Sequence, residues 1–118
     1  MQRRNLLLLP LLLLVGCRAS PERQQLDQTK GFVVKRLLEI RRDGRQYADY
    51  SERVVSGVSP LELIMRDAPQ GLAPVLWDEP AQAWSVRLSS STPGHVEIDL
   101  YGSDLGKPLD HMQVEMRR

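Results

Sequence analysis

The hydrophobic period of this chain changes once, between residues 65 and 84, and that change limits the folds open to it. Before it, apolar residues fall at Leu26, Val33, Leu37 and Ile40, the spacing of one helix face, with Phe32, Val34 and Leu38 widening the stripe. After it, the period is two. Trp84, Val86 and Leu88 alternate with Ser85, Arg87 and Ser89. Val96, Ile98 and Leu100 alternate with Glu97, Asp99 and Tyr101, and Met112, Val114 and Met116 with Gln113, Glu115 and Arg117. Successive strand residues point to opposite sides, so each run has one apolar and one wet face.

Local signals place the boundaries. Ser20 can cap a helix with Pro21 at its first position and Glu22 in its first turn, predicting a helix over 21–42 that Asp43-Gly44 ends, with Gly44 suited to a left-handed position. Residues 45–56 form a second helix, with Tyr47, Tyr50, Val54 and Val55 near one face and Ser56-Gly57 as its stop. Ser59, Pro60 and Glu62 read as a capping box opening a third, short helix, with Val58 and Leu63 as a hydrophobic staple. Residues 72–77 predict a short strand that Pro74 pushes to an edge. Ser91-Thr92-Pro93-Gly94 turns a hairpin, and residues 102–110 make a looser loop. The expected fold is an α+β domain over residues 21–118, its N-terminal helices packed on one face of a three- or four-stranded antiparallel meander.

The chain begins Met1-Gln2-Arg3-Arg4-Asn5 and continues with ten apolar residues, 6–15, broken at Pro10. A membrane-spanning helix needs about 20 such residues. Ten behind a basic pair read as the hydrophobic region of a secretion signal. Leu14-Val15-Gly16-Cys17 then resembles the lipobox of bacterial lipoproteins. The resemblance implies cleavage after Gly16, a diacylglyceryl group on the Cys17 thiol, and a bacterial cell-envelope address. An ordinary secretory signal followed by an unrelated cysteine is the alternative. Cys17 is the one cysteine of the sequence, so no disulfide can form within the chain, and acylation would remove a free thiol. In this family an aspartate after the cysteine holds the protein in the inner membrane of diderm bacteria. Arg18 stands there instead, which favours the outer membrane, facing the periplasm. Residues 17–20 would be a lipid-anchored tether too short to lift the domain far from the bilayer.

Cleavage would leave 102 of the 118 residues, and loss of Arg3 and Arg4 leaves 14 Lys+Arg against 15 Asp+Glu. That balance argues against nucleic acid as a partner, since such binders carry a basic excess. The local exception is Lys35, Arg36, Arg41, Arg42 and Arg45, interrupted by Glu39 and Asp43. A solvated helix face is the plain reading. Contact with a partner or with anionic head groups is the functional one.

Signals for catalysis are weak. His95 and His111 each precede a strand, at opposite ends of a meander, and read as exposed turn residues that could not share a metal. The hydroxyl run Ser89-Ser90-Ser91-Thr92 sits at a turn with no base beside it. Asp78 and Glu79 lie in a turn, while Glu97, Asp99 and Glu115 on the wet face can pair across strands with Arg87 or Arg117. No cofactor, metal or enzymatic activity is expected. Trp77 and Trp84 read as core and edge packing.

The run from Gly31 to Tyr47 resembles the opening of nuclear-transport-factor-type cone domains, in which a helix, a short Asp-Gly break and a second helix precede a curved sheet. That resemblance implies a concavity lined by Trp84, Ile98 and Val114, flanked by Met112 and Met116, able to hold a small apolar ligand or carry a minor enzymatic activity. A pilin-like or cystatin-like helix on a sheet fits the same pattern. The leading expectation is a membrane-anchored, non-enzymatic binding or assembly module. Its contact surface would be the wet sheet face or the basic helix, its partner an envelope protein or anionic lipid.

Overall fold

A computed structural model describes residues 20–116. The expected secretion signal, Cys17, and Arg117 lie outside the described residues. Helices α1 (Pro21–Arg42), α2 (Gly44–Val55) and α3 (Leu61–Ile64) precede strands β1 (Val75–Trp77), β2 (Ser85–Thr92), β3 (His95–Tyr101) and β4 (Asp110–Glu115). Ser20 caps α1 as expected, its Oγ accepting the Arg23 N–H at 3.1 Å.

Asp43 joins α1 to α2 without a loop. Its backbone N–H donates to Glu39 and Ile40, closing α1, while its carboxylate accepts from the Arg45 and Gln46 N–H groups, opening α2. These exposed N–H donors hold the Asp43 carboxyl below its ordinary pKa, those of Gln46 first. Gly44 is therefore the first residue of α2 and not a left-handed stop. The left-handed position lies one helix later, at Gly57 (φ 78°).

The capping box at the third helix does not form. Glu62 reaches Arg53 on α2 at 3.1 Å instead of folding back, Pro60 stands at the cap, and Ser59 Oγ lies 3.4 Å from the Leu61 N–H. Val58 is exposed and cannot staple to Leu63. A cross-helix ion pair thus replaces the local cap. Val55 also leaves the expected α2 face and points to solvent, whereas Tyr50 is fully buried.

The four strands lie in the order β1-β2-β3-β4. The pairs β2–β3 and β3–β4 are antiparallel, as expected, with Val86 opposite Leu100 and Ile98 opposite Met112. The sheet is mixed, however, because β1 runs parallel to β2, with Val75 opposite Val86. Parallel neighbours normally need a crossover of about a dozen residues. Here β1 is so short that residues 78–84 suffice to bring the chain back. That return is sharpened at both ends by left-handed residues, Asp78 (φ 53°) and Trp84 (φ 59°). Trp84 therefore sits outside β2, and its N–H donates to the Gly102 carbonyl at 2.9 Å.

The sheet's apolar face is covered by the chain's own long helix. Leu26, Val33, Leu37 and Ile40 of α1 meet Val86, Leu88, Val96, Ile98 and Leu100 in one buried cluster that also holds Tyr50, Ile64 and Met116. Ile98 and Val114, expected to line a concavity, are part of this core, and Trp84 and Met112 are partly buried against it. Thr29 is buried mid-helix. It donates to the Gln25 carbonyl at 2.7 Å and accepts the Ala73 N–H at 2.9 Å, tying the segment before β1 to α1.

Candidate functional site: the open sheet face

With one sheet face under α1, the other carries the polar members of each strand. Part of that second face is also covered. The returning segment 78–84 lies against β2: Arg87 Nε donates to the Glu79 carbonyl at 2.5 Å, and Ser85 Oγ donates to the Gln82 carbonyl at 2.6 Å. Ser85 is fully buried in consequence, against its expected place on the wet side. Arg87 stands opposite Asp99 in the register, and its guanidinium makes its ion pair with the turn, 4.0 Å from Asp78.

What stays open is the β3–β4 half, carrying His95, Glu97, Asp99, His111, Gln113 and Glu115. The register pairs His95 with Glu115, Glu97 with Gln113, and Asp99 with His111. Each pair makes contact. His95 Nδ1 lies 2.7 Å from Glu115 Oε1, Gln113 Nε2 donates to Glu97 Oε1 at 3.4 Å, and His111 Nδ1 lies 2.5 Å from Asp99 Oδ1. The second nitrogen of His111 is 3.9 Å from Glu97. The hydrogen bond to Asp99, then the negative charge of Asp99, Glu97 and Asp110, raises the His111 pKa above its ordinary 6.5.

The two histidines are thus strand residues in carboxylate pairs, not turn residues. Their strand-start placement at opposite ends of the ladder holds. They are four register positions apart, roughly 13 Å at the rise of a strand. Among the described residues, no group of three or more His, Cys, Asp or Glu is placed to hold a metal ion. Within the hydroxyl run, Ser90 serves the backbone: its one O–H is shared between the carbonyls of Thr92 and, at 2.7 Å, His95.

The basic cluster is divided by the fold. Arg36 lies over the Phe32 ring, 5.4 Å from its centroid, and donates to the Arg66 carbonyl at 2.5 Å. Arg41 donates to the Glu115 carbonyl at 3.1 Å, locking the end of α1 to the end of β4. Arg36 and Arg41 therefore tie remote segments to α1; Lys35, Arg42 and Arg45 are solvent-exposed. Sequence spacing could not reveal this, because the partners lie 30 and 74 residues away.

Two buried donors have no hydrogen-bond partner among the described residues, the Tyr50 hydroxyl and the Trp84 indole N–H. Burial, with a smaller contribution from Tyr47, pushes the Tyr50 phenol well above its ordinary pKa. Its ring meets Trp77 edge-on, with centroids 6.3 Å apart. Comparison with protein-family models, with curated proteins and with solved structures returns no match for this chain.

Proposed function

We propose that this chain is a lipid-anchored bacterial envelope protein whose mature domain is a non-enzymatic binding module, docking a partner protein on the open β3–β4 face. The lipobox-like Leu14-Val15-Gly16-Cys17 supports the address. The observation that carries the binding reading is the asymmetry of the sheet. One face is filled by α1, while the other presents three carboxylates and two imidazoles in cross-strand pairs. Charge complementarity points to a basic partner surface. In this reading the anchor faces the periplasm from the outer membrane, and Lys35, Arg42 and Arg45 are a secondary surface for anionic head groups.

The test is a photoreactive residue at Gln113, at the centre of that face, with a second at Lys35 on the helix, crosslinked in intact cells. The reading expects one discrete protein adduct from position 113 that Glu97→Lys with Glu115→Lys abolishes. Adducts from position 35 alone, or an adduct at 113 indifferent to the charge reversal, contradict it.

The orphaned Tyr50 and Trp84 donors favour a second reading, in which a small molecule reaches the interior. Cosedimenting small molecules, extracted from the native protein and lost in Trp84→Phe, would support it.

A further inference from the structure

The domain's two half-exposed leucines outside the helices share one loop, residues 102–109, at 49% and 51% exposure for Leu105 and Leu109. That loop is tied to the N-terminal half of α1. At one end Ser103 Oγ donates to Glu22 Oε2 at 3.3 Å, and just beyond the other Lys30 Nζ pairs with Asp110 at 2.6 Å. Glu22 is the second residue of α1, and Ser20 is its cap. Cys17 stands three residues before Ser20, and three extended residues span at most about 11 Å. Ser20, from which the chain runs back toward Cys17, and the apolar loop therefore belong to the same end of the described domain.

From this juxtaposition we infer that residues 102–109 form a membrane-contacting tip, with Leu105 and Leu109 entering the bilayer interface beside the Cys17 lipid. The inference rests on the lipid-anchor reading above and adds an orientation to it. The loop's chemistry suits an interface. Asp104 is exposed but its Oδ1 accepts the Gly106 N–H at 2.9 Å, closing the turn, and Lys107 is exposed between the two leucines, where it can meet lipid phosphate. A single half-exposed leucine is ordinary on any protein surface. Two on one loop beside the lipidated end are not scattered. The consequence is functional: acyl chains alone leave a domain free to rotate, whereas a second contact fixes it. The hairpin of Thr92–His95, at the far end of β3, would then point away from the bilayer, and the open sheet face would stand upright on the membrane.

The experiment uses the full chain, expressed in bacteria that process lipoproteins. Leu105→Cys and, separately, Ser91→Cys at the far hairpin receive a polarity-sensitive fluorophore. Both sites are solvent-exposed, so neither label disturbs the core. The labelled proteins are reconstituted into phosphatidylethanolamine–phosphatidylglycerol vesicles containing lipids brominated along the acyl chain. The Cys17 peptide is weighed in each preparation. The expected result is quenching severalfold stronger at position 105 than at 91, on protein whose Cys17 carries lipid. Equal, weak quenching at both positions on acylated protein overturns the membrane tip and leaves the anchor standing. An unmodified Cys17 overturns both.

Discussion

Asp99 on β3 and His111 on β4 face each other across the ladder, with Asp99 Oδ1 2.5 Å from His111 Nδ1. Because the pair raises the His111 pKa in the folded state, its stabilisation is fully present below the unfolded value of 6.5 and is lost as pH rises through the folded value. Nearly half of the His111 side chain is exposed, so after solvent screening the pair contributes no more than about 1 kcal/mol. His111→Gln should therefore destabilise most near pH 5.5 to 6 and progressively less in alkaline buffer. Urea unfolding of both proteins across that range checks this. A gap between them that widens with pH would show the sign to be wrong.

Thr29 should be intolerant of valine. Thr29→Val keeps the shape but strands the buried Ala73 N–H, which costs about 1–3 kcal/mol. Thr29→Ser keeps the acceptor and should cost less. Chemical denaturation of the two variants side by side ranks them.

The α1–sheet seam should dominate stability. Leu37→Ala and Ile98→Ala each remove a fully buried side chain from the shared cluster, and each should cost about 2–5 kcal/mol. Val55→Ala, at 75% exposure, should stay within roughly 0.5 kcal/mol. Thermal melts that show all three equal would contradict the position of the core.

Tyr50→Phe separates the two functional readings. If the hydroxyl is buried without a partner, its removal relieves a desolvation cost, and the variant should match or exceed the parent in midpoint denaturant concentration. A loss of 1 kcal/mol or more, on the order of one hydrogen bond, would mean that a bound group normally meets that hydroxyl.

Much of the fold was legible because its signals are local or periodic. The stripe Leu26, Val33, Leu37 and Ile40 identified the buried face of α1, and the alternation through Val96, Ile98 and Leu100 identified the inner face of β3. The direction of β1 was not legible. It depends on a return through Asp78 and Trp84, and a left-handed tryptophan has no sequence signature. Nor could the spacing of histidines and carboxylates give their pairing. Asp99 meets His111 only because the 102–109 loop sets the β3–β4 register, and a loop of that length permits several registers. The basic cluster misled for a related reason. Charge spacing along α1 shows which cations share a helix, but not that Arg36 and Arg41 are spent on carbonyls of remote segments. Ser59 and Glu62 fit a local rule that the Arg53 guanidinium overrode.

The central claim is that a binding domain is held at a membrane through Cys17. Its most direct test is mass spectrometry of the N-terminal peptide from a bacterial membrane fraction, wild type beside Cys17→Ala. The account predicts a mature chain that begins at an acylated Cys17, and a variant that loses both the lipid and its membrane association. An unmodified Cys17, or a variant that stays in the membrane, would contradict it and make the apolar N-terminus an ordinary signal or an uncleaved anchor.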